Sequence, residues 1–305
     1  VQTTSRQVNQ LFAFMRVALR VEVSSLRGLR QGIPNLMRLF SEYQVRASFF
    51  FPLGHDYAGR SPLTTWRERH RLGLSALAYG TLMPAPSLGA EGKDLMAAAR
   101  TNGHEVGLFG LAPLHWSRRL AHADQAWTGQ QCKDLWSSFL ELGGMAPSAL
   151  ATPGWQINPT LLGELSAGCY EYSSLTRGKL PYLPVLQGVR SEIPEIPTTL
   201  PTVGELLHQP GVSLDNVHEY LYAESRHLLP AGHVFAASAE REGIELLGLM
   251  EKLLVMWKGQ DGSVRALGDV LKEIDLATLP HHLVGWGELE GGASAVAMQS
   301  VQVPA

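Results

Sequence analysis

The feature that most limits the fold of this chain is an alternation between short apolar runs and longer segments with helical spacing. Residues 16–23 alternate polar and apolar side chains, which is typical of a strand. Pro34 then begins a segment in which apolar residues recur at helical spacing. Because crossover helices connect the strands of a parallel sheet in this order, the sequence predicts an α/β fold.

The same pattern predicts the later elements. Further strands are expected at 47–51, 105–109, 149–152, 171–174, 193–196 and 234–238. Further helices are expected at 95–100, 125–142, 159–167, 214–229 and 244–257. The helix at 159–167 has an N-cap asparagine, Asn158, and a proline in its first turn. From Gly285 the chain is rich in Gly, Ala, Ser and Gln, which favours a loose tail.

Composition supports one globular unit. The 305 residues are 45% apolar and only 17% charged, which is sufficient for a full core. A chain of this length is compatible with two domains, but α/β barrels reach this size as a single domain. We expect an N-terminal extension over 1–15, one domain over 16–276 and a C-terminal tail over 277–305.

Charge and cysteine content exclude several classes of protein. A net charge of −3 argues against a nucleic-acid partner. Two cysteines, Cys132 and Cys169, are too few for a disulfide framework or a Cys-rich metal site. No apolar run approaches the roughly 20 residues that cross a bilayer, and residues 1–15 do not read as a signal peptide. We therefore expect a cytoplasmic protein.

Polar residues follow several of the predicted strands, where a parallel barrel builds its active site. Glu22 and Ser24 end the first strand, and His55 and Asp56 follow the second. Phe109 ends the third strand, and Ser238 and Glu240 come at the end of the strand at 234–238. These positions are the first candidates for a site.

Several motifs in this frame resemble the NodB-type polysaccharide deacetylases. The resemblance is closest to the branch that deformylates 4-deoxy-4-formamido-arabinose carried on undecaprenyl phosphate. The segments that carry it are 17–28, 32–34, 47–50, 54–60, 103–107, 154–155, 172–178, 196–201 and 239–243. It implies a distorted (β/α)7 barrel, formed by a single domain, with the site at the carboxyl ends of the strands.

The resemblance also assigns roles to positions, and the residues found there are unusual. The position of the family's catalytic base is Glu22, and the three positions of its metal ligands are Ser24, Phe109 and Pro113. The position of the family's general acid is Ser238. The arginine that orients the base in the family is replaced by Gln156.

These replacements remove what the chemistry needs. Metal-assisted amide hydrolysis requires a Lewis acid, and Ser24, Phe109 and Pro113 supply no adequate ligand set. We therefore expect no metal and no cofactor. We interpret the chain as a catalytically degenerate deacetylase- or deformylase-like protein that is a partner or regulator of an active enzyme of sugar or envelope-lipid modification. One alternative is an active hydrolase of an amide C–N bond, with a rebuilt site that uses Glu22, His55 or His115. Another is a binding protein for a lipid-linked sugar phosphate.

Arginines provide a candidate ligand pocket. Arg20, Arg27, Arg60 and Arg177 occupy places where the lipid-linked sugar deformylases also carry arginine. Because guanidinium groups bind phosphate bidentately, the resemblance implies a sugar-phosphate or polyprenyl-phosphate ligand. Ordinary salt bridges with nearby carboxylates explain the same residues equally well. The remaining candidate pocket residue is Trp155.

An insertion over 66–83 provides a candidate contact surface. Its apolar residues are Trp66, Leu72, Leu74, Leu77 and Tyr79, and its basic residues are Arg67, Arg69 and Arg71. This combination suits peripheral contact with a membrane headgroup layer, and it also suits a subunit contact. We expect a dimer, formed with a second copy or with an intact deacetylase-family relative.

Overall fold

The computed structural model describes residues 15–142, 147–168, 170–259, 262–291 and 294–304. The predicted N-terminal extension lies outside the described residues except for Met15. In the described part, the strands are β1 (Arg16–Glu22), β2 (Ser48–Phe51), β3 (Glu105–Leu108), β4 (Ala149–Ala151), β5 (Tyr172–Ser174), β6 (Leu183–Leu186), β7 (Val189–Arg190), β8 (His233–Ser238), β9 (Ser263–Arg265), β10 (His281–Gly287) and β11 (Val296–Val303).

A curled parallel sheet forms the centre of the molecule. Its strand order is β5-β4-β3-β2-β1-β8, and β9 pairs with the first residues of β1. Each neighbouring pair runs parallel, and the register between β1 and β8 places Glu22 opposite Ser238. The predicted α/β fold is therefore confirmed, and the carboxyl ends of the strands meet at one rim, the barrel mouth.

Helices surround this sheet. Over the same ranges they are α1 (Ile33–Glu42), α2 (Pro62–Arg67), α3 (Arg69–Leu72), α4 (Leu88–Thr101), α5 (Pro113–Arg119), α6 (Gln125–Glu141), α7 (Pro159–Ala167), α8 (Val203–Leu206), α9 (Val217–Ser225), α10 (Leu247–Lys258) and α11 (Leu267–Leu271). Within the described residues, none of the helices is both long and apolar enough to span a membrane.

Helix boundaries follow local capping. The Asn158 side chain accepts a hydrogen bond from the backbone N–H of Leu161, which confirms the predicted N-cap of α7. The helix predicted at 95–100 begins earlier, at Leu88, because the Ser87 side chain caps it by accepting from the Ala90 N–H. Its first turns contain Gly89 and Gly92, which hide the apolar periodicity. The helix predicted at 214–229 is shorter and spans Val217–Ser225.

The strand predicted at 193–196 is instead an extended segment that spans the gap between β5 and β8. Glu195 forms isolated bridges to Ser173 and Tyr182, and the N–H of Leu200 donates to the carbonyl of Val234. Pro194 and Pro197 have no N–H to donate, so the segment cannot sustain a regular ladder. It nevertheless links the two edges of the curled sheet.

The loose tail predicted from Gly285 is wrong. Strands β10 and β11 form an antiparallel hairpin, and β10 pairs in parallel with β6, so a second sheet has the order β11-β10-β6-β7. Val296 packs with Trp155 and Ala236 in a small apolar cluster. Because small residues alternate with Val284, Trp286, Val296 and Met298, composition concealed a strand pattern.

Candidate functional site

The positions that the resemblance assigns to a metal meet at the barrel mouth. Ser24, Phe109 and Pro113 line one cavity of about 270 Å³, together with Glu22 at the end of β1. Trp155, Glu68 and Arg71 form other parts of its wall. The chain therefore brings together the side chains that the sequence singled out, although they come from separate segments.

These residues do not fit a metal ion. Phe109 is 1% exposed and packs among Phe50 and Ala151 inside the barrel, while Pro113 begins α5. Neither residue has a donor atom in its side chain, and a serine hydroxyl is a weak ligand. Within the described ranges, no group of three or more His, Cys, Asp or Glu side chains could hold a metal ion.

A buried carboxylate, Glu240, organises the loop that follows β1. Its Oε1 accepts hydrogen bonds of 2.8 Å from the Ser24 N–H and from the Ser25 hydroxyl. Gly28 leaves the space for this carboxylate, because a Cβ there would lie 2.2 Å from Glu240 Oε1. The Ser238 hydroxyl donates to Glu240 Oε2 at 2.8 Å. The family's general-acid position therefore has a hydroxyl that is engaged in holding the loop.

Glu22 is the acidic group whose position matches the family's base. Its carboxylate lies 2.7 Å from the Arg20 guanidinium, and its side chain is 18% exposed. Burial raises the pKa of Glu22, while the charge of Arg20 acts in the opposite direction and that of Glu240 adds to the rise. The mouth thus holds a carboxyl group whose pKa lies above its ordinary value.

Trp155 forms a wall of the cavity in an unusual backbone conformation. Its φ is +50°, directly after Gly154 at +67°. A bulky residue in this region is strained, and such strain is concentrated at functional sites. The indole lies over the Arg177 guanidinium at 4.8 Å and donates to the Thr198 hydroxyl at 3.1 Å. The ring is therefore held firmly beside Glu22.

The four arginines predicted to form a phosphate pocket do not share one pocket. Arg20 is fully buried and donates to Ser174 and Thr198. Arg177 forms a bidentate pair with Glu205, at 3.2 and 3.1 Å.

Arg27 donates to the carbonyl oxygens of His70 and Arg71. Salt bridges with nearby carboxylates, the alternative interpretation from the sequence, therefore account for Arg20 and Arg177. Arg60 lines a different, exposed pocket.

His55 and His115 line a cavity whose lining does not include Glu22. They line the second pocket, of about 320 Å³, which shares Asp56 and Pro113 with the Glu22 cavity. The His115 ring contacts Trp127 at 5.7 Å, and burial followed by the charge of Arg119 lowers its pKa. Asp56 accepts from the N–H groups of Leu26 and Ala58, both at 3.1 Å. Glu22 and the two histidines therefore line different cavities, and no hydrogen bond joins Glu22 to either imidazole ring.

The insertion over 66–83 folds partly over the mouth, which sequence reasoning missed. Arg71 and Glu68 pair with each other and line the Glu22 cavity, so Arg71 is not part of an outer basic rim. Burial lowers the pKa of Arg71, but the charges of Glu240, Glu68 and Glu22 outweigh it and raise the pKa overall. Leu72 is buried rather than exposed. The helical spacing of residues in this segment does not predict that Arg71 and Leu72 face the interior.

The C-terminal hairpin completes the rim. Gln156, at the position of the family's orienting arginine, donates through Nε2 to the Ala295 carbonyl at 2.8 Å. The Arg177 N–H donates to the Ala297 carbonyl at 2.8 Å. The hairpin therefore supports the segment that carries Trp155.

Comparisons with known proteins agree with this architecture, although no family model matches the chain. The chain is 30% identical over 257 residues to a protein of Shewanella sediminis (strain HAW-EB3) named probable 4-deoxy-4-formamido-L-arabinose-phosphoundecaprenol deformylase ArnD. The match covers 80% of this chain and 81% of that protein. A protein of the same name from Wigglesworthia glossinidia brevipalpis is 26% identical over 204 residues, covering 59% of this chain and 67% of the relative.

Solved structures show the same fold. The Bc1960 peptidoglycan N-acetylglucosamine deacetylase has a TM-score of 0.53 at 14% identity, with 88% of this chain and 97% of that chain covered. The chitin deacetylase of the fungus Colletotrichum lindemuthianum has a TM-score of 0.50 at 15% identity, covering 84% and 86%. These likenesses show the barrel fold alone.

Proposed function

The chain belongs to the NodB-type polysaccharide deacetylase family, and we propose that it binds a sugar ligand without hydrolysing it and acts beside an active relative. The observation that carries the proposal is the convergence of Ser24, Phe109 and Pro113 on one cavity. A family site without metal ligands has no Lewis acid to polarise an amide carbonyl. The cavity itself is retained.

The residues around this cavity suit a sugar. The Trp155 indole forms an apolar part of the cavity wall, against which the C–H groups of a sugar ring pack. Glu22 and Glu68 accept hydrogen bonds from hydroxyl groups, and Arg71 donates them. Because these groups are held by contacts within the fold, little ordering is required when a ligand binds.

Turnover measurements test the absence of hydrolysis. We expect no release of formate or acetate from formylated or acetylated amino sugars, under conditions where the Shewanella sediminis relative is tested in parallel. The triple variant Ser24→Asp, Phe109→His and Pro113→His restores a donor set, and we expect it to bind about one zinc per chain. Turnover by the unmodified chain that is abolished in Glu22→Gln would contradict the proposal.

The partner role is proposed on the exposed apolar side chains of the insertion and of helix α2, in which it begins. Five large apolar residues there are more than half exposed: Leu63, Trp66, Leu74, Leu82 and Met83. Large apolar side chains exposed close together in one segment of the chain are typical of a protein contact. The occupant that we favour is an intact relative with the same fold.

Sedimentation with purified proteins tests this contact. We expect a complex with the intact relative at micromolar concentration, and we expect Leu74→Asp with Leu82→Asp to dissociate it, because buried carboxylates would be unpaired. Leu228→Asp, at an exposed leucine outside the insertion, is the matched control. Monomers both alone and in the mixture would reject the partner role.

A further inference from the structure

Helix α2 and most of the insertion form a unit of their own, the flap (residues 61–79). Leu72 and Ala76 belong to a small apolar cluster that is separate from the main apolar core. The N–H of Gly59 donates to the carbonyl oxygen of Tyr79 at 3.1 Å, so the two ends of the flap lie side by side. The flap is therefore joined to the barrel by a narrow neck and has a small core of its own, as compact surface loops do.

Different residues of the flap line three cavities. Arg71 and Leu72 line the Glu22 cavity, of about 270 Å³. Leu72 also lines a cavity of about 250 Å³ together with residues of the segment 26–31. A wider cavity, of about 640 Å³, has Arg67 in its wall. Because protein interiors are packed with few voids of this size, an element bordered by several cavities has room to move as a body.

Two arginines outside the flap hold it in place. Arg27, in the loop after β1, donates to the carbonyl oxygen of His70 in α3. Arg118, on α5, donates to the Ser61 hydroxyl at 2.9 Å and to the Thr64 hydroxyl. Hydrogen bonds from charged donors are stronger than neutral ones, but each of these joins a side chain to the flap at one point. They can break without disrupting the small core of the flap.

Gly73 lies directly after α3 and has a backbone conformation that favours glycine. Its φ is +86° and its ψ is 153°, a region that residues with a side chain rarely adopt. A Cβ there would lie 3.6 Å from Arg27 Cδ and 3.9 Å from Ser75 Oγ, which are ordinary contacts. The backbone conformation, and not a lack of space, therefore requires glycine. Such a residue between two helical turns is suited to absorb a change in their relative angle.

We propose that the flap is a hinged lid on the Glu22 cavity, which Arg27 and Arg118 hold closed. Opening breaks the hydrogen bonds of these two arginines, and the apolar cluster of the flap moves with it. Closing over a bound ligand excludes water from the cavity, as lids of this kind do in other proteins. The lid controls access to a ligand site, so this role rests on the proposed binding function.

Labelling of a single cysteine tests the lid without any ligand. Ser117→Cys, in a chain that also carries Cys132→Ser and Cys169→Ser, places the single thiol on the wall of the cavity under the flap. We expect Arg27→Gln to raise its rate of reaction with N-pyrenylmaleimide about tenfold, because the closed state loses a hydrogen bond from a charged donor. Thr64→Val should raise the rate about threefold. The smaller reagent N-ethylmaleimide should show a smaller rise with both variants.

Two controls separate lid opening from other effects. Arg38→Gln, at an exposed arginine on α1, should leave the rate unchanged. A chain that keeps Cys132 as its single thiol reports loss of stability, since Cys132 lines a cavity that shares no residue with the flap. Unchanged labelling in both flap variants, or an equal rise in Arg38→Gln or at Cys132, would overturn the lid. Failure of the wild type to bind sugars would reject the proposed function, whereas faster labelling in the flap variants would still show that the flap opens.

Discussion

Two carboxylates of the barrel, the buried Glu195 and the partly exposed Glu22, have contrasting surroundings. Glu195 is fully buried and accepts from the hydroxyls of Ser173 and Thr176 and from the N–H groups of Leu175 and Thr176. Every one of these donors belongs to the segment around β5. Its carboxylate is satisfied by the fold and has no capacity left for a ligand.

Glu22 is satisfied much less completely. It has an ionic partner, Arg20, and it lines the cavity at the mouth. Burial raises the pKa of both carboxyl groups, so a raised pKa does not separate them. The number of hydrogen-bond donors around each carboxylate does distinguish them. A carboxylate that has few donors within the protein and lies beside an open cavity is the one that can bind a ligand.

The largest effect on stability is expected when the Glu195 carboxylate is removed. We expect Glu195→Ala to lower the free energy of unfolding by about 3 kcal/mol or more, because several buried donors lose their acceptor. Glu195→Gln keeps one carbonyl oxygen and should lose less. Urea denaturation measures both, with exposed Glu192→Ala as control. A change under about 1 kcal/mol in Glu195→Ala would show that the network is not structural.

A second experiment uses the pH dependence of Glu22. Because its pKa is raised above the ordinary value of 4.5, the folded state holds this proton more tightly than the unfolded state. The contribution of Glu22 to stability is therefore complete below pH 4.5 and is lost as the pH rises through the folded pKa. We expect Glu22→Gln to gain stability relative to wild type over that rise, by at most about 1.4 kcal/mol per pH unit.

Urea denaturation at a series of pH values measures this difference. Glu219→Gln, at an exposed position on α9, controls for the loss of one surface charge. Curves for Glu22→Gln and wild type that stay parallel from pH 4 to pH 8 would show that Glu22 does not have a raised pKa.

The smallest expected effect concerns the serine opposite Glu22. Ser238→Ala removes a hydroxyl that donates to Glu240 and accepts from the Glu240 N–H, and we expect a loss of about 1 kcal/mol. Thermal denaturation measures it, with exposed Ser300→Ala for comparison. An unchanged midpoint would indicate that the hydroxyl has no role in holding the loop.

Local patterns predicted much of the fold. The alternation in β1 and the cap at Asn158 depend on neighbouring residues alone, and both are present in the structure. The positions of the family's metal ligands could be located in this sequence because the motifs that carry the resemblance occur in the same order. The structure brings these positions, Ser24, Phe109 and Pro113, together.

What could not be predicted depends on distant contacts. Arg71 lines a cavity with Glu22, which comes from a distant segment, and the hairpin of β10 and β11 pairs with β6. The spacing of apolar and polar residues along the chain gives no information about either interaction. The assignment of Arg60 to a pocket with Arg118 is equally non-local.

The packing of Phe109 limits the mutational paths open to this chain. Phe109→His alone would place an imidazole among Phe50, Ala151 and other apolar side chains, before any second ligand exists to repay its desolvation. Pro113→His alone would leave that aromatic ring in place. A gain of metal binding that begins at Phe109 would therefore pass through a destabilised intermediate, and selection for stability would act against that order of substitutions.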